Sequence, residues 1–158
     1  MREKSNRQRY TETSAAPIHG GFALSSAHLA RDLSKGMRLA TLTGKQYETL
    51  AARWLSENGL KIIARNFSCR RGEIDLIALD GNYLVFVEVR GRTNARFAGA
   101  AASIDRRKRL KVIRAAQSFL KQRSEHSHRP CRFDVVGFEP SQSPARSRIQ
   151  WLRAAFTA

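Results

Sequence analysis

The sequence predicts an α/β fold, a mixed β-sheet flanked by helices, with elements in the order α-β-β-β-α-β. Three observations lead there. Two segments, "TGKQYETLAARWLSENG" and "DRRKRLKVIRAAQSFLKQR", carry apolar residues at helical spacing. Four runs rich in Val, Ile, Leu and Phe read as strands. The second helical segment separates the third strand from the fourth, and helices that interrupt a run of strands pack as layers on the sheet.

Residues 1–40 differ from the rest of the chain. They are polar, basic and without sustained periodicity, which predicts a disordered or weakly ordered extension ahead of one domain over 41–158. "SSAHLARDLSKGM" is a short candidate helix there, and Met37 is an alternative start for the functional domain. In the first long helix, Tyr47, Leu50, Ala51, Trp54 and Leu55 form the apolar stripe. Thr43 is the expected N-cap and Asn58-Gly59 the stop. Strands come next at 61–67, 73–80 and 83–90, the last two joined through Asp80-Gly81-Asn82, a hairpin signal. A looser Gly, Ala and Arg-rich stretch leads to the second helix, 105–123, whose expected apolar face is Leu110, Val112, Ile113, Ala116, Phe119 and Leu120. "CRFDVVGFE" is the next strand, and "IQWLRAAF" a last, short edge strand. Asp134 alternates with Phe133 and Val135 and reads as structural, and His126 and His128 sit in a loop without a third ligand at metal spacing.

Charge narrows the partner. The 158 residues hold 29 Lys plus Arg against 13 Asp plus Glu, a formal net charge of +16. Such a surface attracts polyanions, either nucleic acid or an anionic membrane. No apolar run approaches the ~18 residues of a membrane span. The second helix also lacks the broad exposed apolar face of an interfacial anchor. Its cations Arg106, Arg107, Lys108, Arg109, Lys111 and Arg114, with Arg92 and Arg96 just before, instead form the expected footprint for phosphates. Two isolated cysteines, Cys69 and Cys131, fit free thiols in a reducing cytoplasm.

Against that excess of cations, the hairpin "RGEIDLIALDGNYLVFVEVRGR" carries Glu73, Asp75 and Glu88 on otherwise apolar strands. Glu88 and Arg90 share one strand face, and Val85, Val87 and Val89 the other. A two-residue loop at Asp80-Gly81 brings Asp75 opposite Phe86, on the face of Glu88. A four-residue loop over 80–83 sets Asp75 against Glu88 directly. Only an odd loop would part them, and the Asp-Gly turn is the favoured one. Buried carboxylates a few ångströms apart need a cation, a shared proton or a metal. Two such groups with water and phosphate oxygens make a typical Mg²⁺ site, and a metal there can activate water against a phosphodiester. A lone strand acid is more simply an ion-paired surface residue. An acid pair with a base two residues on argues for chemistry.

Asp75 followed by Glu88-Val89-Arg90 resembles the (D/E)xK constellation of restriction-endonuclease-like nucleases. The run from Gly44 to Val136 resembles the YraN-like family of predicted endonucleases, distant relatives of archaeal Holliday junction resolvases. "GKQYETLAARWL", "GLKIIARNF", "RGEIDLIALDG", "LVFVEVRGR", "FAGAAAS", Lys108 within "RRKRL", "RFDVV" and the closing "AAF" carry the likeness; residues 1–36 lie outside it. The resemblance implies a restriction-endonuclease-like core and Mg²⁺ or Mn²⁺ held by Asp75 and Glu88. It adds Glu48, which lies at the edge of the first helix's apolar stripe, as a further metal ligand and catalytic residue. The fullest motif has Lys where this chain has Arg90. Arginine stays protonated and cannot serve as the base, but it can clamp a phosphate and stabilise developing charge. The expected activity is hydrolysis of DNA, including branched or structured DNA, and analogy with resolvases implies a homodimer. The alternative is a catalytically silent nucleic-acid-binding protein that retains the nuclease fold.

Overall fold

The structure, a computed structural model, describes residues 22–23, 42–91, 105–139 and 148–158. Most of the expected N-terminal extension, including its candidate helix, and the loop bearing Arg92 and Arg96 lie outside the described residues. Phe22–Ala23 form a two-residue strand, β1.

Helix α1 (Gly44–Glu57) starts at Thr43 in a capping box. The Thr43 side chain accepts from the Gln46 N–H, and the Gln46 amide oxygen accepts from the Thr43 N–H at 2.8 Å, so two orphan donors are met reciprocally. The helix stops at Asn58, after which Gly59 takes φ 91°, the left-handed conformation that ends helices without steric cost. Strands β2 (Lys61–Cys69), β3 (Gly72–Asp80) and β4 (Tyr83–Arg90) form an antiparallel meander. Helix α2 (Arg106–Gln122) then carries the chain to β5 (Cys131–Glu139), which pairs parallel with β4. β6 (Arg148–Phe156) returns antiparallel to β5. The sheet order is β1-β6-β5-β4-β3-β2, a mixed sheet as expected. β6 is longer than the short edge strand anticipated, and β1 pairs along part of its outer side.

The helices lie on opposite faces. The α1 face packs Tyr47, Leu50, Ala51, Trp54 and Leu55 against Leu76, Ala78, Val85, Val87, Val136, Phe138 and Ile149. The α2 face packs Val112, Ala115, Ala116 and Phe119 against Ile77, Leu84, Phe86, Phe133, Val135 and Phe156. β4 is therefore covered on both sides, which explains its unbroken apolar run. Leu110, expected on the buried face of α2, is 43% exposed, and Ala115 takes a buried place instead.

Midway along β5, opposite Val87, Asp134 is fully buried and fully bonded. Its carboxylate accepts from Arg132 Nε at 2.9 Å, Arg132 Nη2 at 3.0 Å, Trp151 Nε1 at 2.9 Å and the Ala154 N–H at 3.0 Å. The β5–β6 register shifts between Phe133 and Val135, and Ala154 adopts φ 48°. The carboxylate thus holds a backbone donor at an irregularity in the ladder, and Arg132 extends the network to Asp80. Asp134 is structural, as its alternation suggested. Asp134→Ala leaves the largely buried Arg132 guanidinium with Asp80 alone and removes the acceptor of Trp151 and Ala154, and it is expected to cost about 3–5 kcal/mol of stability in urea unfolding; a loss below about 1 kcal/mol contradicts this role.

Candidate active site

The site forms where β3 begins and β4 ends, and hairpin register decides its geometry. Asp80 pairs with Tyr83 across the two-residue loop Gly81-Asn82, with Gly81 at φ 57° and Leu79 opposite Leu84. The turn lies one residue beyond the favoured Asp80-Gly81 position, which slides the register by two residues and preserves its parity. Only the first loop residue has positive φ, the type II′ arrangement. The last ladder pair is Leu76 with Val87, so the next position sets Asp75 against Glu88. This is the direct opposition considered for the longer loop.

Beyond that pair a side chain replaces the backbone acceptor. The Val89 N–H donates to Asp75 Oδ2 at 2.7 Å. Ile74 packs in the α2-side cluster, yet Leu76, two residues on, packs in the α1-side cluster. Strict alternation therefore breaks at Asp75. Across the strand pair Asn66 adopts φ 50°, between Arg65 opposite Leu76 and Phe67 opposite Ile74. Glu73 accordingly does not share a simple strand face with Asp75.

Glu88 is only 3% exposed. Its Oε1 accepts a short hydrogen bond from Lys108 Nζ and lies 3.4 Å from Arg90 Nε. That second contact has ion-pair distance without hydrogen-bond alignment, so the buried Arg90 N–H has no acceptor among the described residues. Burial raises the Glu88 pKa, the Asp75 charge raises it further, and Lys108 and Arg90 oppose the rise. Burial likewise raises Asp75, against the Val89 N–H and the Lys108 charge. Glu48 lies within the field of Asp75. Partial burial and the Asp75 charge raise its pKa, while an Asn66 side-chain hydrogen bond and Lys45 lower it.

The structure thus gathers Asp75, Glu88 and Arg90, with Glu48 in the field of Asp75. Among the described residues no three His, Cys, Asp or Glu side chains form a ready metal cage. The residues present nevertheless fit a hard divalent cation. Mg²⁺ is commonly held by one or two carboxylates with water and substrate phosphate, and both acids keep a raised pKa despite the nearby Lys108 and Arg90, a rise that a divalent charge would offset. Lys108, expected among the phosphate contacts, reaches into this site instead. Arg109 lies with its guanidinium 5.9 Å from the Phe156 ring centroid, at the edge of the core. Arg106, Arg107, Lys111 and Arg114 are exposed on α2. Two contributors had escaped the sequence reading: Asn66, and Gly91, where an added Cβ would come within 2.2 Å of the Tyr47 ring. The second signal was visible as a glycine directly after the motif.

Residues 47–138, from α1 through β5, match the model of the uncharacterised protein family UPF0102. A UPF0102 protein of Alcanivorax borkumensis is 53% identical over 114 residues, covering 72% of this chain and 90% of that one. One from Pseudomonas fluorescens Pf-5 is 50% identical over 114 residues, covering 72% and 92%, and one from Pseudomonas aeruginosa PAO1 is 46% identical over 115, covering 73% and 92%. The chain belongs to the UPF0102 family. This is the YraN-like resemblance read from the motifs. The UPF0102 match contains every residue of the site, from Glu48 to Lys108, and it ends at Phe138, whose ring packs 5.0 Å from that of Tyr47.

The raised carboxylates fix the sign of a pH effect. Between the ordinary carboxylate range and the raised values, the folded chain keeps protons that the unfolded chain has released. The contribution of these groups to stability is therefore full below that window and lost as pH rises through it. Asp75→Asn/Glu88→Gln, which cannot ionise there, should unfold at a higher temperature than the parent near pH 7, with the gain shrinking toward pH 4. Circular-dichroism melts across that range check this; a gain that grows on acidification contradicts it.

Proposed function

We propose that this chain is a metal-dependent endonuclease that hydrolyses phosphodiester bonds in DNA, with branched or structured DNA among its substrates. The carrying observation is the opposition of half-buried Asp75 and buried Glu88 at the open end of a strand pair, flanked by two cations. Glu88 follows an apolar run on β4, and the two cations beside it leave the pKa of both acids raised. Asp75 and Glu88 would hold Mg²⁺ or Mn²⁺, assisted by Glu48. When bound, the ion lowers the pKa of a coordinated water and offsets charge on the phosphate.

The chain's own residues account for the remaining requirements. The Val89 N–H fixes one oxygen of Asp75. The Arg90 guanidinium, whose side chain is 36% exposed, would donate to a non-bridging phosphate oxygen, and a charge-assisted bond there strengthens as charge develops in the transition state. Arg90 does not accept a proton, and Lys108 supplies the lysine that position 90 lacks: it orients Glu88 and leaves donors free for water or phosphate. The exposed cations of α2 position the strand without reading bases. Cutting both arms of a branched substrate calls for two sites, hence a homodimer acting on cytoplasmic DNA. Among the described residues no helix is long and apolar enough to cross a membrane.

The test incubates purified protein with labelled duplex, single-stranded and four-way-junction DNA in Mg²⁺, Mn²⁺ or EDTA. Cutting is expected with either metal and not in EDTA. Asp75→Ala or Glu88→Ala should lower the rate by at least about 100-fold, as removal of a transition-state charge interaction does, while DNA affinity stays within a few-fold. Lys108→Ala should lower kcat more than it weakens binding. Binding without metal-dependent cutting by the parent protein would overturn the proposal in favour of the catalytically silent reading.

A further inference from the structure

A recess of about 630 Å³ opens beside the acid pair, between the β2–β3 turn and the first turns of α2. Arg70 and Arg71 line one wall, and Arg107, Lys108 and Lys111 the other, with Glu73 and Asp105 as the acidic lining residues. Asp105 is already engaged, since its side chain caps the Arg107 N–H at 3.2 Å. Lys108 is bonded to Glu88. Arg70, Arg71, Arg107 and Lys111 are exposed and have no ion-pair partner among the described residues. Four unpartnered cations around one recess repel one another, and an anion lodged between them relieves that repulsion.

The walls are fixed before any ligand arrives. A Cβ on Gly72 would lie 2.5 Å from the Lys111 carbonyl oxygen, so the turn backbone touches the helix backbone between the two sets of cations. Such preorganisation removes part of the ordering cost of binding. The recess has the volume of a ligand site, but its lining is charged and includes no aromatic side chain. It offers phosphate contacts without a stacking platform for a base. Lys108 lines the recess and also reaches Glu88, so one side chain links the recess to the acid pair.

We infer that this recess is a second phosphate subsite, in which Arg70, Arg71, Arg107 and Lys111 hold the DNA backbone next to the phosphodiester that faces Asp75 and Glu88. The subsite rests on the nucleic-acid reading above for its ligand, but not on hydrolysis. It makes the β2–β3 turn, in addition to α2, part of the binding surface. The contact is to the backbone, so it serves any base sequence.

Binding of a fluorescein-labelled 20-bp duplex is measured by anisotropy in EDTA, from 50 to 300 mM NaCl. In this buffer no metal-dependent cutting enters the result. Removing one phosphate-binding cation reduces the slope of log K against log[NaCl] by about 0.9. Arg70→Ala/Arg71→Ala is therefore expected to lower the slope by about 2 and the affinity by roughly 10–100-fold at 150 mM NaCl. Arg70→Lys/Arg71→Lys should keep most of the slope. Arg53→Ala/Lys61→Ala, which removes exposed cations elsewhere, should leave it unchanged. Melting curves verify that each variant is folded. As a local probe, in a Cys131→Ser background, bound duplex should slow alkylation of Cys69, which lines the recess. An unchanged slope in Arg70→Ala/Arg71→Ala, or an equal drop in the Arg53/Lys61 control, overturns the subsite. A protein that never cuts DNA but shows the slope change fails the nuclease reading and leaves the subsite standing.

Discussion

Asp75 and Glu88 are two carboxylates set against each other at the end of a covered strand pair, where burial raises the cost of ionising both and the Asp75 charge adds to that cost for Glu88. Several features of the fold serve that juxtaposition. β4 is central and buried on both faces, which removes water from Glu88. β3 breaks its alternation at Asp75, so that the side chain caps the Val89 N–H rather than entering either core. α2 begins where Lys108 can reach Glu88, and α1 brings Glu48 within the field of Asp75. Gly91 lets the chain leave β4 beneath Tyr47.

The same residue types do opposite work one strand away, on β5, where Asp134 lies opposite Val87. Asp134 is as buried as Glu88, but four hydrogen bonds from Arg132, Trp151 and Ala154 satisfy it. A buried acid so completely bonded stabilises a bulge and has no capacity left for a ligand. The Asp75–Glu88 end keeps carboxylates that favour protonation and an arginine donor with no acceptor among the described residues. Incomplete satisfaction of this kind marks a place where stability yields to function.

Much of the architecture was legible because local chemistry and periodicity agreed. Thr43 with Gln46, and Asn58 with Gly59, bracket α1 as their side-chain and φ preferences require. The strand limits of β4 and β5 coincide with the apolar runs. The acid pair was legible because loop parity is robust: moving the turn by one residue shifted the register by two and left Asp75 and Glu88 together. The features that stayed hidden depend on packing between distant elements. Nothing local to "RRKRL" says that Lys108, among so many neighbouring cations, is the one that meets Glu88. The exposure of Leu110 and the burial of Ala115 reflect how α2 is rotated on the sheet, which a wide apolar stripe leaves free. Asn66 and Asp75 break alternation together, and neither residue signals this alone.

The central claim is that the opposed carboxylates are a divalent-cation site, and Mn²⁺ binding measured by electron paramagnetic resonance tests it most directly, because it reads the metal without requiring turnover. The account predicts that the parent protein removes Mn²⁺ from the free-ion signal with saturable stoichiometry. It also predicts that DNA tightens this binding and that Asp75→Asn and Glu88→Gln each abolish it while remaining folded. Saturable Mn²⁺ binding that survives both substitutions, or none by the parent at millimolar metal with DNA present, would contradict it.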